Sequence, residues 1–197
     1  MLRSGPAMHT TGHPPEGRVT GPHLDSRLVL NLGCGRKHRP DAVNLDRTAA
    51  SSPDVVHDLD VLPWPFPDSR FQQVLAYDVI EHLADIVRAL EEIHRVCRDG
   101  ASIEITVPHF SSANAFTDPT HRHFFSRFSF DYFDDSHEFG FYSPCRFRVV
   151  RSNLIFTPTL VNRVVGRLAN RYPKRYESRW AWMFPAWFLS VELRVVK

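Results

Sequence analysis

Leu28-Val29-Leu30-Asn31-Leu32 runs directly into Gly33-Cys34-Gly35. A short, mostly apolar run stopped by glycines reads as a buried strand followed by a tight turn. The same pattern repeats downstream. Ala42-Val43-Asn44-Leu45 ends at Asp46, Val55-Val56 ends at His57-Asp58, and Phe71 to Ala76 ends near Tyr77-Asp78. Ala101 to Val107 alternates apolar and polar residues and stops at Pro108. Between the last two strands, Leu83, Ile86, Val87, Leu90, Ile93 and Val96-Cys97 mark one face of an amphipathic helix over 83–98, which Asp99-Gly100 terminates. Strands alternating with helices or loops predict an α/β protein with a doubly wound, mainly parallel sheet and right-handed connections. Ligands of such sheets bind at the carboxyl ends of the strands, so the residues just after each strand are the candidates for function.

After Pro108 the regular pattern breaks. Residues 109–145 are dense in His, Phe, Ser and Asp, too long and too aromatic for an idle connection, and are read as an insertion that covers a site. Regularity returns as strands at Arg146–Val150 and Leu154–Leu160, a helix around Val161–Asn170 and a closing strand Phe188–Val196. The aromatic stretch Trp180 to Leu189 is read first as core packing; a pocket wall, a dimer contact or a membrane-surface contact are the alternatives. Residues 1–26, rich in Gly, Pro, His and Thr, are expected to be a flexible leader, which leaves 27–197 as one domain.

Composition excludes several classes. Apolar residues make up 43% of the 197 and the net charge is only +2, with Lys and Arg scattered, so nucleic acid is not expected as a partner. Cys34, Cys97 and Cys145 are too few and too far apart for a disulfide framework or a thiolate metal site, and suit the reducing cytoplasm. No apolar run reaches the roughly 18 residues of a membrane span.

Three signals sit at strand ends in order. Gly33 and Gly35 allow close approach of backbone to a ligand. Asp46 can accept two hydrogen bonds from a ribose diol. Asp58 is placed to accept from an adenine amino group or to cap its own loop.

These residues carry a resemblance. Leu30-Asn31-Leu32-Gly33-Cys34-Gly35 is similar to the first motif of class I S-adenosylmethionine-dependent methyltransferases. Leu62-Pro63-Trp64-Pro65-Phe66-Pro67-Asp68-Ser69-Arg70-Phe71, Val79-Ile80-Glu81-His82-Leu83 and Glu92-Ile93-His94-Arg95-Val96 resemble later segments of the same family, over about residues 28–110. The subgroup is that of small bacterial methyltransferases often encoded with polysaccharide or secondary-metabolite genes, and Asp118-Pro119-Thr120-His121 with the following Phe residues also resembles it. The resemblance implies a Rossmann-like sheet of about seven strands with the last one antiparallel beside the fifth. It implies S-adenosylmethionine as cofactor, with Gly33, Cys34 and Gly35 by its methionine part, Asp46 at the ribose, Asp58 and Leu59 at the adenine, and Tyr77 and Asp78 near the sulfonium. Departures are visible. The stretch between Gly35 and the second strand is too short for a full helix, His38 stands where a third glycine is usual, Gln73 replaces an Asp, and Arg98-Asp99-Gly100-Ala101 replaces a double-glycine turn. Without the third glycine the dinucleotide fingerprint is incomplete, which argues against NAD. Arg36 and Lys37 are candidates to meet the methionine carboxylate.

The expected activity is O- or N-methylation of a small or saccharide-like acceptor. Candidates for the base are His121 foremost, then His109 and His123, with Asp118 holding the His121 tautomer. Phe110, Phe116, Phe124 and Phe125 are the expected apolar walls of the acceptor pocket. The group Asp118, His121 and His123 is too weak a pattern to assign a metal. The alternatives are a catalytically inactive S-adenosylmethionine-binding partner protein and a nucleotide-sugar or dinucleotide enzyme.

Overall fold

The computed structural model describes residues 26–134, 137–138 and 143–197. Most of the expected leader, and part of the expected insertion, lie outside them. The strands are β1 (Val29–Leu32), β2 (Ala42–Asp46), β3 (Val55–Val56), β4 (Phe71–Tyr77), β5 (Cys97–Pro108), β6 (Arg146–Ile155) and β7 (Phe188–Val196). They form one sheet in the order β3-β2-β1-β4-β5-β7-β6. The first five are mutually parallel, and β7 runs antiparallel between β5 and β6. This is the Rossmann-like arrangement expected, with the reversed C-terminal strand beside the fifth. Among the described residues four α-helices accompany it: α1 (Ile86–Val96), α2 (Asn114–Thr117), α3 (Leu160–Arg171) and α4 (Pro173–Arg179).

Apolar side chains of the sheet, among them Leu30, Leu32, Val43, Leu45, Val74, Ile103, Ile105, Leu189 and Leu193, pack with Leu90, Ile93 and Val96 of α1 and with Phe125, Phe130 and Phe147. α1 is shorter than its apolar period suggests. Asp85 accepts the Arg88 N–H at 3.0 Å and starts the helix there, a capping preference that outweighs the upstream Leu83. Gly100 does take a left-handed conformation, φ +72°, but it lies within β5; α1 ends at Val96 with Cys97 already extended, so Asp99-Gly100 is not what terminates the helix. The two strands expected at 146–150 and 154–160 are one, bulged between Val149 and Arg151 and ending at Ile155. A bulge shifts the alternation by one residue, which in sequence looks like a break.

Two of the family-like segments explain each other here. The Trp64 N–H donates to Glu92 Oε1 at 2.6 Å, and the Arg95 guanidinium donates to Glu92, to the carbonyls of Trp64 and Phe66, and to Asp68. Residues 62–71 are thereby clamped to α1, and Trp64 is buried beneath the clamp. The aromatic stretch after α4 departs from its first reading. Ala181 and Ala186 are buried, but Trp180, Trp182, Met183 and Trp187 are exposed, Trp182 to 70%.

Candidate active site

A cavity of about 640 Å³ opens at the carboxyl ends of β1, β2 and β4. Gly33, Asp46, Asp58, Leu59 and Asp78 line it, five of the eight residues expected to bind cofactor. Gly33 has φ +57°, and a Cβ there would lie 2.4 Å from the Val79 side chain, so only glycine fits this turn. Asp46, at the end of β2, accepts the Gly35 N–H at 2.8 Å through Oδ2 and the Thr48 N–H at 3.0 Å through Oδ1. These bonds fix the carboxylate's orientation and leave it lone pairs toward the cavity. Asp58 accepts the Asp60 N–H, and the Leu59 carbonyl accepts from the Trp64 indole.

The other expected cofactor residues sit elsewhere. Gly35 meets the site through Asp46 alone. Cys34 is buried behind the loop, and burial pushes its thiol up to about 11. Tyr77 does not line the cavity, which corrects its placement at the sulfonium. Side chains alternate along a strand, so Tyr77 shares a face with Gln73, and both donate to Glu104, Tyr77 at 2.5 Å and Gln73 at 2.8 Å. Lys37 approaches Asp78 at 3.6 Å. Arg47, which follows Asp46, is the cation beside the latter in the cavity lining and went unrecognised in the sequence.

A second cavity, about 620 Å³, shares Asp78, His82, Asp118 and Pro119 with the first and adds Glu81, Pro108, Asn114, Thr117, His121 and Phe188. Of the three histidines expected as bases, only His121 lies here. Its Nδ1 is 3.1 Å from the Ala115 carbonyl. A carbonyl only accepts, so Nδ1 carries the proton and Nε2 keeps the lone pair. The tautomer is therefore set by Ala115, not by Asp118, which accepts from the Thr120 backbone and hydroxyl instead. His109 is wholly buried, with its ring between Ser111 and Glu177. His123 bonds the Leu83 carbonyl. Neither lines either cavity, so their placement is that of structural histidines. The expected apolar wall is likewise displaced. Phe125 is core, while Phe116 and Phe124 stack on each other at the surface with centroids 4.8 Å apart. The insertion's contribution to the second cavity is mainly polar.

Glu81 belongs to the family-like segment Val79–Leu83, where its sequence position alone points to no role. It lies in a single helical turn, Ile80–His82, directly after β4. Its side chain is 1% exposed, and among the described residues neither carboxylate oxygen has a hydrogen-bond partner. Burial pushes this carboxyl up to about 7, with the nearby charges of Asp78 and Asp118 adding to the effect. Its Oε1 is 4.0 Å from His121 Nε2. Burial and the adjacent His121 lower the pKa of His82. A carboxyl in the fourth-strand turn, followed by histidine, was the available sequence signal; its burial was not.

Residues 30–105 match a family model described as a methyltransferase domain. A probable S-adenosylmethionine-dependent methyltransferase of Mycobacterium tuberculosis is 31% identical over 103 residues, which span 44% of this chain and 38% of that relative. The chain thus matches well under half the length of its curated relative. Among solved structures, a SAM-dependent methyltransferase from Archaeoglobus fulgidus aligns with a TM-score of 0.58 at 17% identity over 88% of each chain. The methyltransferase complexed with the Haloferax volcanii Trm112 methyltransferase activator aligns with a TM-score of 0.54 at 18% identity, over 89% of this chain and 85% of that one. These two structures share the fold.

Proposed function

We propose that this chain, which carries a class I S-adenosylmethionine-dependent methyltransferase domain, binds S-adenosylmethionine in the first cavity and methylates an oxygen or nitrogen of a small or saccharide-like acceptor in the second. One observation carries this reading: the two cavities share the wall made by Asp78, His82, Asp118 and Pro119, so ligands in the two would meet there. S-adenosylmethionine supplies a methyl group already activated by a sulfonium. The protein's part is to align donor and acceptor and exclude water, and such positioning is worth roughly 7–11 kcal/mol.

The first cavity fits the cofactor. Asp46 offers a fixed carboxylate to a ribose diol, Gly33 opens the loop above it, and Asp58 with Leu59 borders the space for an adenine. In the second cavity, Asn114, Thr117, Asp118 and His121 give a polar wall, which suits an acceptor bearing hydroxyls. A hydroxyl must shed its proton as it is methylated, and His121 Nε2 offers a lone pair on that wall. Incubation with S-adenosylmethionine and a panel of hydroxylated and amino acceptors, read by mass spectrometry for S-adenosylhomocysteine, tests the reading. Acceptor-dependent product supports it.

One feature favours a second reading, that of a cofactor-binding partner protein without catalysis. No helix follows β1 within 33–41, so the helix N-terminus that favours an anionic ligand at this loop is missing. Cofactor binding with no product from any acceptor would select it. The cytoplasm is the proposed compartment, supported by three buried free thiols; no helix among the described residues is long and apolar enough to cross a membrane.

A further inference from the structure

We propose that Glu81, His82 and His121 form a binding site for one divalent cation of the zinc, cobalt or manganese type, with its open coordination positions facing the acceptor cavity.

The first argument is the carboxylate. Glu81 is 1% exposed, lines the second cavity, and among the described residues has no hydrogen-bond partner on either oxygen. Buried polar groups are nearly always satisfied, and a buried acid without a partner is costly unless something pairs with it. It is the Glu81 backbone carbonyl, not the carboxylate, that receives the Arg122 and His123 N–H groups and ties the turn to the insertion.

The second argument is the orientation of the imidazoles. His121 commits its Nδ1 proton to the Ala115 carbonyl. The Thr120 hydroxyl spends its one proton on Asp118 at 2.7 Å, so at 2.8 Å from His82 it accepts the Nδ1 proton of that ring. Both rings therefore present an unprotonated Nε2. This is how ligating histidines are held: the far nitrogen donates to a carbonyl, carboxylate or similar acceptor, which sets the tautomer and the ring direction. Here the His82–Thr120–Asp118 chain and the His121–Ala115 bond supply that support independently.

The third argument is convergence. One ligand atom from each of the three residues lies within 4.8 Å of the others, although His121 is some forty positions from the turn that carries Glu81 and His82. Two imidazoles and one carboxylate form a known ligand set for divalent transition cations with open positions. Ligands bound at about 2.0–2.2 Å lie about 3 Å apart, so loading must draw the three together. His82, partly exposed at the shared wall, is the ring with room to turn.

This inference deepens the proposed function and rests on it for the identity of the second cavity as the acceptor site. A cation there would polarise a bound hydroxyl and lower its pKa, so that its proton can pass to solvent before the methyl group arrives; the His121 lone pair would then serve the cation in place of the acceptor's proton.

The test uses cobalt(II) chloride as probe, added to the full chain after dialysis against chelator, with neither S-adenosylmethionine nor acceptor present. One equivalent should bind, with visible d–d absorption. His82→Ala and His121→Ala should each weaken binding by about tenfold or more, and Glu81→Gln should do the same. His123→Asn, whose ring nitrogen is held by the Leu83 carbonyl, should bind as the parent does. Melting curves of the metal-free variants identify any that fail to fold. His82→Ala, at a partly exposed position, keeps the test decisive if Glu81→Gln is one of them. Absence of stoichiometric cobalt binding, or equal binding by folded His82→Ala and His121→Ala, overturns the proposal. Calorimetry of S-adenosylmethionine on the chelated protein is read separately, so cobalt binding without cofactor binding would sink the proposed function alone, and the reverse would sink the cation site alone.

Discussion

Asp46 Oδ2 accepts the backbone N–H of Gly35 at 2.8 Å, so the carboxylate at the end of β2 and the glycine loop after β1 are held as one unit on the floor of the first cavity. Replacing Asp46 removes that tether together with the hydrogen bonds offered to a ribose, each charge-assisted bond being worth about 1.5–3 kcal/mol. Asp46→Ala should lower S-adenosylmethionine affinity at least tenfold by calorimetry. Parent-like affinity would show that the ribose is bound elsewhere.

His121 lines the second cavity and not the first. His121→Asn should cut turnover about 100-fold or more with cofactor affinity nearly unchanged. A parallel fall in cofactor affinity and melting temperature would make the residue structural.

The Glu92–Arg95 clamp holds residues 62–71 in place. Glu92→Ala would leave the Trp64 N–H and much of the Arg95 guanidinium without their acceptor. Removing one partner of a buried pair costs about 3–5 kcal/mol, tempered here because Arg95 is partly exposed. Chemical denaturation should show a loss of a few kcal/mol, on the order of the lower end of that range. An unchanged midpoint would mean the clamp contributes nothing.

Asp54 makes the fold acid-sensitive. Burial alone would raise its pKa, but hydrogen bonds from Arg27 and from Asn44 outweigh burial and hold the carboxyl below its ordinary value. A depressed folded pKa gives stability that is present above the unfolded value, about 3.9, and is lost as pH falls through the folded one. Asp54→Asn should therefore be less stable than the parent at neutral pH, with the gap closing below about pH 4. A gap independent of pH would assign the loss to packing.

Much of this architecture was legible because its strands end in chemically abrupt stops: Gly33, Asp46, Asp58 and Pro108 each interrupt an apolar run. The loops after β1, β2 and β3 then fall at one end of a parallel sheet, and five of the expected cofactor residues share a cavity. What was missed depends on three-dimensional facts that composition does not carry. Strand alternation turned Tyr77 toward Glu104. The bulge at Val149–Arg151 disguised one strand as two. His109, His121 and His123 look alike in sequence, and only their surroundings separate the buried ring of His109, the cavity ring of His121 and the ring of His123 held by the Leu83 carbonyl. Glu81 was hidden most completely, since a charged residue in a short turn gives no sign in sequence that it is sealed from water.

The central claim is that the cavity over Gly33 and Asp46 is an S-adenosylmethionine site. Isothermal titration of the parent chain with S-adenosylmethionine, with NAD as comparison, tests it most directly. The account predicts saturable one-to-one binding of S-adenosylmethionine and none of NAD. Heat of binding from NAD with none from S-adenosylmethionine would contradict it.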